Sequence, residues 1–406
     1  MSLSWSIVSD LRQLEGLADA WRGLLARSGS DEPMLSPDWL LPWWRRFGGE
    51  GGRELRVGVA HRGDTLVGLV PLLGRWHWYA LGIPFRRLEL LGTGEAEKDE
   101  VCSEYLNVIT ERGAEEELVA ALADALARNV FGAWDELVLG GLDGTSPLPA
   151  QLATELRKRG AEAAIEETEV ARFIPLPATW EAYLQRLPAT SRYLVTRSLR
   201  EFERWAGDGF ERHEVTTRAE LVEGRRVLLA LHGSRWGDEG AFASPRFDAF
   251  HEDVMPALLD RGALDLSWIC ARGEPVAALY NVRWRGKIYS YQCGRRLDLP
   301  REIRPGIVMH AHAIRGAIAA GMREYDFLGG SSQYKRKLAP ASRPLVRLRA
   351  VRRGLRETAR LVAEGMTTAA RLGRSMVRER VLARRSRSGS RSRSPSNEAP
   401  REEETR

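Results

Sequence analysis

An internal repeat constrains the fold of this chain more than any other feature of its sequence. Each half contains a hairpin of two apolar strands closed by an Arg-Gly-acid turn. Any α/β protein shows some hairpins, but two turns of matching chemistry in matching order favour a duplication. The first hairpin comprises residues 55–60, Arg62-Gly63-Asp64 and 66–73, and the second comprises 264–271, Arg272-Gly273-Glu274 and 276–282.

The repeat continues with a helix that leads into an Asp-bearing strand ending in two glycines. Apolar residues at helical spacing cover 116–129 and 308–320, and the following strands are 134–141 and 325–330. The first copy is longer, and we expect its extra residues in an elaborated loop between Gly74 and Glu100. The sequence therefore predicts an α/β fold duplicated in tandem.

Length and composition agree with two domains followed by a tail. A chain of 406 residues exceeds the roughly 250 at which single cores stop growing. The last segment alternates Arg and Ser without large apolar residues, so it cannot form a core. We expect a first domain at 1–171, a second at 172–342, a basic helical extension at 343–385 and a disordered tail at 386–406.

Cysteine usage and hydropathy indicate a cytoplasmic protein without a membrane span. Cys102, Cys270 and Cys293 lie far apart without CxxC spacing, which argues against a zinc site and a disulfide framework. Residues 1–11 lack the basic start and apolar run of a secretory signal. The longest apolar stretch, residues 66–73, is much shorter than the roughly 20 residues of a membrane helix.

The distribution of charge and the absence of several sequence motifs argue against some classes of function. The net charge is +6, with arginines concentrated at the end of the chain, so weak polyanion binding through the tail is expected. The rest of the sequence shows no RNA-binding motif, Walker A motif or G-x-S-x-G elbow. His310 and His312 are two apart on a predicted helix and point in different directions. These observations argue against a metal site and a covalent hydrolase.

Five segments carry a resemblance to a known enzyme family. The chain resembles the acetyltransferases linked to bacterial cellulose biosynthesis (the CelD type) over residues 5–338, and more distantly the Fem-type aminoacyltransferases of peptidoglycan. The resemblance implies two GNAT folds, whose splayed central strands hold acyl-CoA. The segments are residues 39–47, Leu231-His232-Gly233-Ser234-Arg235-Trp236, Pro275-Val276-Ala277-Ala278, Pro305-Gly306, and Asp326-Phe327-Leu328-Gly329-Gly330 followed by Tyr334-Lys335.

The GNAT resemblance implies a phosphate-binding loop at residues 301–306. The family signature Arg/Gln-x-x-Gly-x-Gly/Ala is matched here at Arg301 and Gly306, with Arg304 at the middle glycine. Basic residues before a Pro-initiated helix suit an anion, because helix N-termini present unpaired amides. The alternative is that Arg301 and Arg304 are solvated loop charges.

The same resemblance implies catalytic groups after the last strand of the second copy. Tyr334 is the expected general acid for the departing thiolate, and Lys335 is expected to offer positive charge to a phosphate or oxyanion. Asp326 is a candidate for positioning or deprotonating an acceptor amine, although an Asp opening a strand is more often structural. The sequence departs from the family at Arg336-Lys337, where members have an aromatic residue and glycine.

Two further groups are expected on the acceptor side. The resemblance places His232, Arg235 and Trp236 at a helix end, where Trp could stack on a ring and Arg could bind an anionic group. Tyr289 and Tyr291 alternate along a strand and share a face that lines the groove or packs in the core.

These observations predict an acyltransferase that moves an acetyl or other acyl group from acyl-CoA to an amine or hydroxyl of a polar acceptor, such as a sugar or cell-envelope precursor. The active site is expected in the second copy, which alone carries the Tyr334-Lys335 cluster. The alternatives are Fem-like aminoacyl transfer, a nucleic-acid-binding protein, and a GNAT fold that only binds. No long heptad segment of the kind that Fem-type proteins carry is present.

Overall fold

The computed structural model describes residues 3–207 and 209–364. They form two compact units, one comprising residues 3–77 and 85–352 and the other comprising 78–84 and 353–364. The predicted tail at 386–406 and most of the predicted extension lie outside the described residues.

The helices and strands are as follows. The helices are α1 (Leu11–Gly16), α2 (Ala18–Arg27), α3 (Pro37–Phe47), α4 (Glu115–Ala127), α5 (Leu148–Lys158), α6 (Trp180–Arg186), α7 (Ala189–Ala206), α8 (Arg218–Trp236), α9 (Pro245–Asp260), α10 (Pro305–Ala319) and α11 (Gln333–Leu338); residues 355–364 are also helical. The strands are β1 (Ser4–Val8), β2 (Glu54–Leu55), β3 (Val57–Arg62), β4 (Thr65–Val70), β5 (Leu72–Tyr79), β6 (Ile83–Leu90), β7 (Ile109–Thr110), β8 (Glu136–Asp143), β9 (Ala161–Pro175), β10 (Phe210–Glu214), β11 (Leu264–Ala271), β12 (Glu274–Trp284), β13 (Lys287–Arg295), β14 (Glu324–Asp326) and β15 (Ala341–Arg352).

The two halves repeat one order of elements. In the first half the strands β1, β3, β4 and β7 are neighbours in that order, and α4 and β8 follow along the chain. In the second half β10, β11, β12 and β13 have the same order, and α10 leads to β14, which pairs parallel with β13. Both predicted hairpins are present as antiparallel pairs, β3 with β4 and β11 with β12. The predicted duplication is confirmed at the level of topology.

The halves are joined because each donates its last strand to the other. β9, the last strand of the first half, pairs with β14 at Phe173–Pro175 and with β15 along its remaining length. β15, the last strand of the second half, pairs in turn with β8 of the first half. Position 172, expected as a domain boundary, therefore lies inside a strand that connects the halves. One sheet of 11 strands results, beside a sheet of four.

Two segments differ from the prediction. Residues 72–90 form the strands β5 and β6 instead of an elaborated loop, since side chains along Leu72–Tyr79 alternate between more and less buried positions. Residues 343–352 belong to β15 instead of a helical extension. Their arginines also alternate with apolar residues, a strand period that places Leu348 and Ala350 in the core.

The largest hydrophobic core is shared by both halves. Trp39 on α3 packs edge-on against Phe250 on α9, with ring centroids 5.0 Å apart, and against Tyr291 on β13 at 5.4 Å. The Trp39 indole also donates a 2.9 Å hydrogen bond to Ser103. Because one core spans the duplication, the sheet of the second half packs against the first half on one of its faces. Its other face packs against α10.

Candidate active site

A cavity of about 460 Å³ lies where β13 and β14 separate. The two strands pair only at 287–289 and 324–326. Beyond that point β13 continues to Arg295, while the other strand turns away, and the Phe327 amide donates to the Arg172 carbonyl of β9 at 2.8 Å. The cavity is lined by Leu194, Arg235, Ala278, Leu279, Cys293, Gly294, Arg295, Arg301, Ile303, Arg304, Gly306, Ile307, Met309, His310, Gln333, Tyr334 and Lys337.

Gly294 forms part of the wall of this cavity. A Cβ at this position would lie 2.6 Å from the backbone nitrogen of His232 and 2.7 Å from the carbonyl carbon of Leu231. The end of β13 therefore rests directly on the backbone of α8, an approach that only glycine permits. This close packing on one face leaves the other face of the strand open toward α10.

A β-bulge decides which side chains of β13 face the cavity. Tyr280 on β12 opposes Gln292 while Asn281 opposes Ser290, so Tyr291 is an extra residue in the strand. The bulge breaks the alternation, and Cys293 and Arg295 come to line the cavity.

Tyr289 and Tyr291, expected as groove residues, are buried against the first half. The Tyr289 hydroxyl donates to Glu32, and the Tyr291 hydroxyl donates to the Val101 carbonyl at 2.6 Å. Neither tyrosine lines the cavity.

The cavity is strongly cationic. Of the described residues that line it, Arg235, Arg295, Arg301, Arg304 and Lys337 carry positive charge, and none is acidic. None of these five forms an ion pair with any carboxylate of the described residues, in contrast to the many paired arginines elsewhere in the fold. Cations left unpaired around a concave site favour a ligand with several negative charges.

The N-terminus of α10 adds backbone donors to this charge. α10 begins at Pro305, and the preceding residue, Arg304, makes no side-chain capping hydrogen bond. Pro305 has no amide hydrogen, and Gly306 presents its backbone to the cavity without a side chain. The Ile307 and Val308 amides both donate to the Arg304 carbonyl, so among the described residues the Gly306 amide is the unpaired donor that this helix N-terminus offers to an anion.

Tyr334 lies on the cavity wall, at the second position of α11. Its ring stacks on His310 with centroids 5.2 Å apart and an interplanar angle of 23°. Burial lowers the pKa of His310 to about 3, so the imidazole is neutral, and its Nδ1 lies 3.1 Å from the Tyr325 hydroxyl. Burial, with a contribution from Cys293, raises the pKa of Tyr334, while Arg235 opposes that shift. Tyr334 therefore keeps its proton at neutral pH.

Lys335 and Asp326 lie outside the cavity lining. The Lys335 ammonium donates to the Gly329 carbonyl, and burial lowers its pKa while Glu104 and Glu169 oppose the shift. Asp326 is fully buried, and its carboxylate accepts 2.7 Å hydrogen bonds from the Tyr105 hydroxyl and the Leu328 amide. Both side chains hold the segment that follows β14 against the first half.

The three residues expected at the acceptor side have different environments. Arg235 lines the cavity, and its Nη1 lies 3.1 Å from the Cys293 sulfur. Its guanidinium also sits 4.4 Å above the ring of Trp236, which is about half exposed. His232 is buried, and burial followed by Arg235 lowers its pKa, with a hydrogen bond to Gln292 acting in the opposite direction. The structure therefore brings Arg235, Arg301, Arg304, Gly306 and Tyr334 to one cavity.

Sequence reasoning missed Arg295, Cys293 and Lys337 as lining residues. Residues 333–338 are helical, so Gln333, Tyr334 and Lys337 share one face at helical spacing while Lys335 points away. That period was present in the sequence and could have identified Lys337. Nothing in the sequence signals the bulge at Tyr291 that turns Cys293 and Arg295 inward.

Glu104 reaches from the first half to the segment that carries Tyr334. Its Oε2 accepts a 2.7 Å hydrogen bond from the Gly329 amide. A Cβ on Gly329 would lie 2.8 Å from Glu104 Oε1 and closer still to Glu169, so this contact requires glycine. Cys102, Tyr105 and Leu328 adopt positive φ angles on the two segments that meet here. Burial, opposed by the Gly329 hydrogen bond, raises the pKa of Glu104 to about 8.

We expect the protein to lose stability as the pH rises from 4.5, the ordinary pKa of a glutamate, to about 8. Burial raises the pKa of Glu95 to about 7 and that of Glu104 to about 8, above the values of an unfolded chain. In this window the folded state binds more protons than the unfolded state, so the free energy of unfolding falls as pH rises. Urea denaturation across this range, with Glu104→Gln expected to flatten the decline, measures the effect. A decline of equal slope in that variant would contradict it.

The sequence of the second half is similar to a known domain family. Residues 189–336 match the acetyltransferase (GNAT) domain family. This stretch runs from α7 into α11 and contains every lining residue of the cavity except Lys337. Nearly all of the cavity lining therefore lies within the residues that match this domain family. No curated protein matches the chain in sequence.

Solved structures share the fold over both halves. The crystal structure of FemX has a TM-score of 0.57 at 11% identity, with 86% of this chain and 97% of that chain covered. A conserved protein of unknown function from Bacteroides thetaiotaomicron has a TM-score of 0.52 at 10% identity, with coverage of 86% and 100%. A tandem GNAT protein from the clavulanic acid biosynthesis pathway has a TM-score of 0.42 at 12% identity, with coverage of 86% and 98%. The chain has the predicted α/β fold repeated in tandem, and its second half matches the GNAT domain family. No helix in residues 3–207 and 209–364 is long and apolar enough to cross a bilayer.

Proposed function

We propose that this protein transfers an acetyl or other acyl group from acyl-CoA to an amine or hydroxyl of a polar acceptor. The observation that carries the proposal is the cationic cavity between β13 and β14 in the GNAT domain. CoA carries a pyrophosphate and a 3′-phosphate, and a concave site with five unpaired cations and no acid complements that charge.

The donor contacts follow from the geometry of the cavity. Arg301, Arg304 and the Gly306 amide at the start of α10 would bind the pyrophosphate, and Lys337 would add charge from α11. Lys335, expected for this role in the sequence, donates to the Gly329 carbonyl and does not line the cavity, so Lys337 takes its place in the proposal.

Tyr334 is the proposed general acid. The acceptor nitrogen or oxygen attacks the thioester carbonyl, the carbon–sulfur bond breaks, and the leaving thiolate takes the phenolic proton of Tyr334. The proton lost by the acceptor passes to solvent or to a nearby base. A tyrosine that remains protonated at neutral pH and lies beside Arg235, which stabilises developing negative charge, suits this step.

The acceptor class in this proposal is a saccharide or cell-envelope precursor, as in the cellulose-linked family that the sequence resembles. Arg235 and the half-exposed Trp236 stand together at the cavity edge, with the guanidinium 4.4 Å above the indole. An exposed indole stacks on sugar rings, and an arginine beside it binds an anionic substituent.

Ligand-dependent thermal stability tests the donor. Acetyl-CoA is expected to raise the melting temperature more than free ADP, because it engages both ends of the cavity and binds only the folded state. The double variant Arg301→Gln/Arg304→Gln should weaken acetyl-CoA binding by roughly 10- to 100-fold, since two charge-assisted contacts are lost. Isothermal titration calorimetry measures this change.

Matched controls separate cavity charge from overall charge. Arg12→Gln removes one exposed, unpaired arginine on α1, and Lys335→Gln removes a cation of α11 outside the cavity. Both should bind acetyl-CoA as the wild-type protein does. Stabilisation by aminoacyl-tRNA but not by acetyl-CoA would move the donor to the Fem-like alternative, and unchanged affinity in the double variant would remove the phosphate assignment.

A further inference from the structure

The unit formed by residues 78–84 and 353–364 exposes an unusual amount of apolar surface. The structure exposes twelve large hydrophobic side chains among all the residues it describes, and five of them lie in these 19 residues. A fraction this high in a small segment marks an interaction surface, because single exposed apolar residues are otherwise scattered. The five are Trp78, Leu81, Leu355, Leu361 and Val362, which are 53–90% exposed.

The helix at 355–364 is inverted relative to an ordinary surface helix. Its buried positions are Glu357, Arg360 and Ala363, while Leu355 and Val362 lie on the opposite face, in contact with solvent. Arg360 pairs with Glu357 at 2.6 Å, and its guanidinium lies 5.4 Å from the ring of Tyr79 in the same unit. With Glu357 and Arg360 on its buried face, this helix leaves Leu355 and Val362 exposed and without a partner among the described residues.

The turn that joins β5 to β6 belongs to the same unit and also exposes apolar side chains. Leu81 occupies a left-handed conformation with φ of 60°, which is costly for a leucine, and its side chain is 72% exposed. Trp78 is 64% exposed. Tryptophan is the residue type enriched at the boundary between water and lipid.

The charge of the adjoining sequence identifies the kind of partner. Residues 365–394 contain nine arginines and a single acidic residue, Glu379. An apolar stripe continued by a strongly basic segment fits a surface that is apolar inside and anionic outside, which describes a bilayer with acidic headgroups. Binding to a nucleic acid would leave the exposed apolar side chains unused. A second copy of this chain would carry the same positive charge and would therefore be repelled.

We propose that the unit of residues 78–84 and 353–364 docks the protein onto the surface of a membrane containing anionic lipid. Trp78, Leu81, Leu355, Leu361 and Val362 enter the headgroup region, and the positive charge of the sequence that follows attracts the acidic lipids. In the part of the chain that the structure describes, no helix is suited to crossing the bilayer, so this unit lies on its surface. This surface is independent of the cavity and of the reaction proposed for it.

Vesicle co-sedimentation of the full chain tests this inference. The protein should bind vesicles of phosphatidylcholine mixed with phosphatidylglycerol and remain in the supernatant with phosphatidylcholine alone. Leu355→Ser/Leu361→Ser/Val362→Ser should lower the partition coefficient by at least about tenfold, because the apolar contribution is lost. The matched control Ile165→Ser/Val222→Ser/Leu297→Ser changes three exposed apolar residues elsewhere and should bind as wild type.

Other partners for this apolar surface predict different results with the same wild-type and variant proteins. Equal binding by the wild type and by the Leu355→Ser/Leu361→Ser/Val362→Ser variant would overturn the inference, since charge alone would then account for attachment. A lipid-free dimer that becomes monomeric only in this variant, measured by light scattering, would assign the surface to a second copy and overturn it as well. Circular dichroism of both triple variants checks that they are folded.

Discussion

Tyr334→Phe is expected to lower turnover by roughly 10²-fold or more while acyl-CoA affinity and folding stay unchanged. The substitution removes only the hydroxyl, and the ring can keep its stack on His310 and its contact with Phe327. Without the phenolic proton, the thiolate must leave unprotonated or take a proton from water. Steady-state kinetics with acetyl-CoA and an acceptor, or slow CoA release by hydrolysis until an acceptor is identified, measures the change.

A matched tyrosine controls for the general effect of removing a hydroxyl. Tyr193 on α7 is exposed and does not line the cavity, so Tyr193→Phe should behave as the wild-type protein. Wild-type turnover in Tyr334→Phe would show that another group protonates the leaving sulfur.

Asp326→Ala is expected to lower the free energy of unfolding by about 3–5 kcal/mol, the cost of breaking a buried charge pair by removing one partner. Asp326 is fully buried and accepts hydrogen bonds from Tyr105 and from the amide of Leu328. Burial raises the pKa of Asp326 to about 6, and the nearby Arg343 guanidinium opposes that shift. Its removal leaves Arg343 with one carboxylate neighbour fewer. Urea denaturation measures the loss.

Asp135 provides the comparison, because it occupies the corresponding place in the first copy of the repeat. Its carboxylate forms a two-pronged pair with Arg86, whose side chain is 41% exposed. Solvent screens such a pair, so Asp135→Asn should cost only about 1 kcal/mol. If Asp326→Asn retained full stability but lost turnover, Asp326 would be a catalytic residue as the sequence allowed, and the structural role argued here would be incorrect.

Local sequence determined the repeated elements and much of the cavity. The two hairpins, the α4 and α10 helices and the strand at 264–271 follow from short-range periodicity and turn chemistry, which depend on neighbouring residues only. The loop before α10 and the role of Tyr334 were instead predicted from the family resemblance. Arg301, Arg304, Gly306, Arg235 and Tyr334 were all named from sequence, and all line one cavity.

The tertiary structure decided how the halves combine. The exchange of β9 and β15 between the halves depends on pairing between residues far apart in sequence, such as Phe173 with Asp326. Local propensity carries no information on which distant strand will be the neighbour. For this reason a boundary at 172 was a reasonable expectation, and the same stretch forms the strand that joins the two halves.

Tertiary packing also decided the roles of individual side chains. Lys335 and Asp326 had the residue types that acyl-transfer chemistry needs, yet Lys335 donates to the Gly329 carbonyl, and the buried Asp326 accepts a hydrogen bond from Tyr105 of the first half. The bulge at Tyr291 turned Cys293 and Arg295 toward the cavity and left the tyrosines in the core. Sequence determined which elements form, because helix and hairpin signals are local. Only the folded chain determined which charges remain unpaired, because pairing depends on partners that can be distant in the sequence, such as Asp253 for Arg46.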